Sequence, residues 1–185
     1  SIDNLPLTLG LSPKAIAKVE KALNEMPEIE AYSKRIKFGG MFSNFMETTN
    51  IRLNGVYPDD EIKTSPLLLS RITQGEKSLQ PGDIILPELL AKGMKVKVGD
   101  TVVVIATNRD GSVNGKQFLV SGILESATGP GGRDGYIHFE DAQEVLRMET
   151  MEISEIAIRL KDFTKLHSVF ADLKESLDVE LNQQG

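Results

Sequence analysis

The sequence contains no cysteine. A disulfide framework, a thiol nucleophile and a cysteine-based metal site are therefore excluded, while cytoplasm and cell exterior stay equally open. Histidine occurs only twice, as His138 and His167. Neither belongs to an HExxH pattern or has a second histidine nearby, and metal or nucleophilic chemistry needs several convergent groups. Both read as surface or half-buried residues. Long apolar runs are also missing. The longest is VVVIA, Val102–Ala106, against the roughly 20 residues a membrane-spanning helix needs. No signal-peptide pattern opens the chain. Its first residue is Ser1, which fits either initiator removal or excision from a longer protein. An excess of positive charge is absent too. The formal net charge of −6 and pI near 5.1 argue against a phosphate-binding surface and weakly against docking on anionic lipid.

What is present is ordinary for a globular protein: 40% hydrophobic and 26% charged residues over a chain of 185. That length suits one largish domain or two small subdomains. It is enough to bury roughly 70% of the unfolded surface without staples.

LSPKAIAKVEKALNEMP predicts a helix. Ser12 is placed to cap it and Pro13 stands at the first helical position, where a missing N–H costs nothing. Ile16, Val19, Leu23 and Met26 fall on one stripe, and Pro27 stops it. IEAYSKRIKF reads as an imperfect strand, and TTNIRLNGVY as a better one with Ile51, Leu53 and Gly55 inward and Arg52 and Asn54 outward. Tyr57-Pro58-Asp59-Asp60 reads as a turn. Ser65-Pro66 repeats the cap-then-proline start, with Gly75 ending a short helix.

The texture then becomes β-rich and glycine-punctuated. The expected elements are a strand at GDIIL, two helical turns at PELLAKG, strands at GDTVVVIATN and KQFLVSGILES, a short strand at YIHF and a helix at EDAQEVLRM. MEISEIAIRL is a strand. KDFTKLHSVFADLKESL is a helix with Leu166, Val169, Phe170, Leu173 and Leu177 on one face, and DVEL begins something extended. The two ends resemble each other and the middle does not. The expected organisation is an α+β subdomain of residues 1–60 plus 151–185, interrupted by an inserted β-rich subdomain of residues 61–150, with Ser1 and Gly185 near one another.

One stretch resists a structural reading. In GGMFSNFMET, Met41-Phe42 and Phe45-Met46 flank Ser43-Asn44. Ser-Asn is turn chemistry between two strands, so four bulky apolar side chains gather near a hairpin tip that is normally wet. A strand hides every second side chain. Met41, Phe42, Phe45 and Met46 are therefore either partly turned into the core or an exposed contact site, for which flexible Met and flat Phe are suited.

Catalytic and ligand-binding patterns fail one by one. GPGGRDG lacks the Lys and hydroxyl of a phosphate loop and leads into a strand. DGSVNG places Asp110, Ser112, Asn114 and Gly115 as in a calcium loop, but Ser121 stands where a bidentate Glu is required. Asp59, Asp60 and Glu61 are contiguous, which suits caps and dipole partners better than acid–base work. No SxxK, GxSxG or kinase motif is found. A small hydrolase with a cleft between subdomains finds no constellation, and no cofactor is expected.

An ordered series of elements carries more information than any one of them. It runs Gly55–Pro58, Gly75, Ile85–Ala91, Lys97–Val102, Val120–Leu124, Asp134 and Ala142-Gln143. This order, over about residues 28–177, resembles the extracytoplasmic core domain of MacB-type ABC transporter permeases, a superfamily that includes FtsX-like permeases and the LolC/LolE pair. The resemblance implies a porter-like α+β subdomain formed by both termini around a β-rich insertion. It implies a non-catalytic domain on the extracytoplasmic (periplasmic) face of the cell membrane, anchored through flanking helices absent from this chain. Its implied partners are a second permease subunit and a cytoplasmic ATPase, both through the full-length protein, and an extracytoplasmic adaptor or substrate protein; nucleic acid is not among them. The alternative is a free-standing extracytoplasmic ligand-binding or adaptor protein.

Overall fold

The computed structural model describes residues 4–108, 110–127, 132–149 and 151–182. Ser1 and Gly185, whose proximity the sequence suggests, lie outside these residues, as does 128–131 of the glycine-rich loop.

The first helix forms as its sequence dictates. The Ser12 Oγ accepts the Ala15 N–H at 3.3 Å, and α1 runs Pro13–Glu25. Ile16, Val19 and Leu23 are buried. Before it, residues Asn4–Leu11 form β1, a strand that the local sequence pattern does not announce. Proline at its third residue obscures the pattern, but β1 lies at one edge of the sheet, where a missing donor is tolerated. β1 pairs antiparallel with β9, Ile153–Leu160. β9 pairs in turn with the first half of β2, Ile29–Ser43. α1 and α5 (Leu166–Asn182) share a core with β9, in which Val169 and Leu173 join Ile16, Val19, Ile156 and Ile158. α5 continues through DVEL, which is helical rather than extended, and Phe170 faces solvent instead of joining the apolar stripe.

The second half of β2 belongs to a different arrangement. It pairs with β3, Thr48–Val56, from Arg35↔Val56 to Ser43↔Thr48. The remaining strands are β4 (Ile72–Gly75), β5 (Asp83–Pro87), β6 (Thr101–Thr107), β7 (Val113–Leu124) and β8 (Gly135–His138). The pairs β2–β3, β3–β8, β8–β5, β5–β7, β7–β6 and β6–β2 form a closed ring. In-register partners point to the same face of a sheet. Following Phe42↔Val104, Val102↔Phe118, Val120↔Ile84, Ile84↔Ile137 and Ile137↔Gly55 traces one interior face round the ring. Every side chain on that path from Phe42 to Ile137 is at most 1% exposed. Helix α4, Phe139–Val145, packs on the same face: a Cβ at Gly55 would lie 2.4 Å from the Ala142 Cβ, so only glycine admits the helix. The fold is α+β, as expected.

Several local expectations are corrected. Pro58 starts a helix, α2 (Pro58–Thr64), so Asp59, Asp60 and Glu61 occupy its first turn rather than a free turn. Pro66–Arg71 is a 3-10 segment in which Ser65 makes no side-chain cap. Gly75, at φ +86°, ends β4 rather than a helix, and its missing Cβ leaves room for the Ser121 carbonyl oxygen. Asn54 is buried, not outward in solvent, and donates from Nδ2 to Asp134 Oδ2 at 3.2 Å.

β2 changes neighbours at Arg35, which is in register with Val56 on one side and Glu155 on the other. Beyond it β9 departs, and the Ser154 hydroxyl takes over. It accepts the Lys37 N–H at 2.9 Å and donates to the Lys37 carbonyl at 3.3 Å. A side chain thus supplies the ladder bonds that the departing strand withdraws.

Candidate functional site

The β2–β3 connection is a four-residue loop, Asn44–Glu47, because Ser43 and Thr48 are still paired. The turn is therefore not centred on Ser43-Asn44 as its residue types suggested. Asn44 opens it. Its Oδ1 accepts the N–H groups of Met46 at 2.9 Å and Glu47 at 2.7 Å, and Ser43 Oγ accepts the Phe45 N–H at 3.1 Å. Asn44 Nδ2 also donates to the Met94 carbonyl at 2.8 Å, pinning the loop to the turn that follows α3 (Glu88–Gly93). This is Asx-type turn chemistry carried by one side chain.

The loop holds Phe45 at φ +75°, a region bulky residues avoid. Phe45 is 64% exposed and Met46 90%. Met41 is partly exposed on the strand below. Phe42 has no exposed surface at all and belongs to the ring's interior core. The four residues singled out from sequence thus divide: Phe42 is a core residue, while Met41, Phe45 and Met46 form the apolar surface of the tip. Beside it lies an open depression of about 330 Å³ lined by Asn44, Met46, Glu47, Met94, Lys95, Val96, Asp100 and Thr101.

Most of the other candidates serve structure. His138 Nδ1 accepts the Glu140 N–H at 3.2 Å as the cap of α4, and His167 is exposed. Asp110 accepts the Ser112 N–H and hydroxyl at 2.9 and 2.6 Å, bonds that hold its carboxyl below the usual range; they close a turn. Among the described residues no cluster of three or more His, Cys, Asp or Glu could hold a metal ion.

Glu61 is a buried carboxylate whose role the contiguous Asp59-Asp60-Glu61 run does not reveal. It is 1% exposed, accepts Arg35 Nε at 3.1 Å together with Arg35 Nη2, and accepts the Ser33 hydroxyl at 2.7 Å. Arg35 Nη1 donates to Glu155 at 2.9 Å, and Lys37 Nζ lies 3.5 Å from the same carboxylate. Burial alone would lower the Arg35 pKa; the Glu61 and Glu155 carboxylates overcome it and raise it. Tyr136, buried beside this pair, has its hydroxyl pKa pushed up to about 12, by desolvation first and by Glu61 next. Arg35, Lys37, Glu61 and Glu155 pair with one another, so the cluster is a joint at the point where β2 changes partners.

The family model of the MacB-like periplasmic core domain matches residues 7–176. No curated protein gives a significant match. Among solved structures, the extracellular domain of the noncanonic ABC-type transporter YknZ from Gram-positive bacteria superposes with a TM-score of 0.66 at 13% identity, covering 93% of this chain and 84% of that one. The periplasmic region of MacB from Actinobacillus actinomycetemcomitans gives 0.63 at 13% identity, covering 95% and 85%. A domain of a putative permease protein from Porphyromonas gingivalis gives 0.57 at 16% identity, covering 96% and 74%. At these identities the structural likeness speaks for the fold alone.

Proposed function

The chain belongs to the MacB-like periplasmic core domain family, and from that premise we propose that it is a non-catalytic relay. It is the extracytoplasmic domain of an ABC transporter permease, whose cytoplasmic ATPase drives movements that this domain transmits to a partner or substrate protein outside the membrane. The relay has two lobes. One comprises β1, α1, the first half of β2, β9 and α5; the other is the closed ring with α3 and α4. The pairing of β1 with β9 supports this division, since it sets the first and last strands of the chain side by side. In the assembled transporter that lobe faces the membrane spans, a second permease copy stands alongside, and the hairpin tip of the ring lobe is the contact surface. Among the described residues no helix is long and apolar enough to cross a membrane. The relay needs differential contact, a tip that meets its neighbour better in one state of the transporter than in the other.

The observation that carries this reading is Phe45. A left-handed backbone favours Gly or Asn, and an exposed loop favours polar side chains, yet a phenylalanine occupies both conditions with most of its surface in water. Neither local conformation nor core packing accounts for that choice; contact does. The test is the double substitution Phe45→Ser/Met46→Ser in the full-length transporter, assayed by complementation of a strain lacking it. The expected result is an unchanged melting temperature of the domain with complementation lost. Full complementation would refute the tip as the contact surface.

A further inference from the structure

We infer that Met46 is an oxidation site, and that its conversion to the sulfoxide by a peroxide-class oxidant releases the tip contact. The second half of this inference rests on the tip reading proposed above; the first half stands without it.

The argument begins from the composition. The chain has six methionines and no cysteine, so no thiol reacts first and methionine is its most readily oxidised side chain. Oxidation of a thioether follows its exposure to solvent, and the methionines differ sharply. Met46 is 90% exposed, Met41 38% and Met94 7%, while Met26, Met148 and Met151 are half-buried. The Met151 sulfur also lies 4.0 Å from the Lys34 ammonium, which draws on the lone pair that must attack. Met46 meets neither obstacle. It stands at the apex of a loop, on the side of the membrane where reagents from outside arrive and reducing thiol buffers are absent.

The step balances simply. The Met46 sulfur lone pair attacks the nearer oxygen of hydrogen peroxide, the O–O bond breaks, and the departing hydroxide takes the proton of the new sulfur-bound hydroxyl to leave as water. Sulfur is oxidised by two electrons and the peroxide is reduced by two. The product is chiral and polar, with an S=O group that accepts hydrogen bonds. An apolar contact built from Phe45 and Met46 thus acquires a polar oxygen at its most exposed point. Burying that oxygen against an apolar partner without a donor is unfavourable.

Two measurements test this. The chain is treated with hydrogen peroxide and its peptides are followed by mass spectrometry. Met46 is expected to oxidise about twofold faster than Met41 and about tenfold faster than Met94, in proportion to exposure. Oxidation of Met46 no faster than the half-buried methionines would overturn the site. Separately, a photo-crosslinking phenylalanine analogue is placed at position 45 of the full-length transporter in its native membrane. The adduct yield is read before and after peroxide. A several-fold fall, abolished when Met46→Leu is added, is expected. If an adduct forms but its yield is unchanged although Met46 is oxidised, the switch is refuted while the contact stands. If no adduct forms under any condition, the contact reading fails and takes the switch with it, leaving only the chemical selectivity.

Discussion

Phe42 and Phe45 are three residues apart, and the structure assigns them opposite energetics. Phe42→Ala removes a fully buried ring from the interior of the closed strand circuit, where Val104 is its in-register partner. Such truncations cost about 3–5 kcal/mol, the lost transfer energy plus the cavity left behind. In a chain of this size each kcal/mol shifts the melting temperature by about 2–4 °C, so the domain should melt roughly 10 °C lower. Phe45→Gly does the reverse at the backbone. Relieving φ +75° returns about 1–2 kcal/mol. Against this stand about 0.5–1 kcal/mol of added chain entropy and about 0.5–1 kcal/mol for the third of the residue that is covered. These terms nearly cancel, and the variant should lie within about 1 kcal/mol of the parent. Urea melts with matched m-values decide the matter. A Phe45→Gly loss above about 2 kcal/mol would mean that the ring is packed and not presented. A Phe42→Ala loss below about 1 kcal/mol would mean that the strand circuit is not closed around it.

The joint and the buried tyrosine give two further expectations. Glu61→Leu leaves Glu155 as the one carboxylate bonded to Arg35, and should cost about 3 kcal/mol, whereas Arg35→Met/Glu61→Leu should restore most of it, since replacing a buried pair outright is often neutral; a double-mutant cycle with no coupling would refute the joint. Tyr136 has a folded pKa of about 12 against about 10 unfolded. Its neutral form is therefore favoured by folding: the contribution is whole below pH 10 and is lost as pH rises towards 12, by roughly 2–3 kcal/mol. Alkaline melts read at the tyrosinate absorbance should show a shallower fall between pH 10 and 12 for Tyr136→Phe than for the parent, and equal slopes would refute the assignment.

Much of the fold can be read from residues close together in the chain. Ser12-Pro13 placed α1 correctly because a cap and its helix are three residues apart. The strands β5, β6, β7 and β9 follow from period-2 alternation or from short apolar runs between turns. The misreadings have local causes as well. Tyr57-Pro58-Asp59-Asp60 has turn composition, but proline also suits a first helical turn, where Pro58 stands. Pro6 disguised the edge strand β1, and an acidic start hid the helical end of α5. For the tip, the sequence singles out four residues but not how they divide between core and surface. Alternation demands that one of Met41 and Phe42 point inward, yet it is silent on which. Phe45 and Met46 escape the rule altogether because Asn44 opens the loop one residue later than the Ser-Asn pair suggested.

The sequence by itself determined most of the elements, the absence of thiol chemistry and the ordered series that marks the family, since each depends on neighbours along the chain or on composition. The tertiary structure alone decided three things. It placed Phe42 inside by pairing it with Val104, it buried Asn54 against Asp134, and it joined Arg35 to Glu61 and Glu155, which lie 26 and 120 residues further along the chain. The physical reason is that side-chain parity and charge pairing are fixed by strand register, and register is set by whichever distant strand comes to lie alongside.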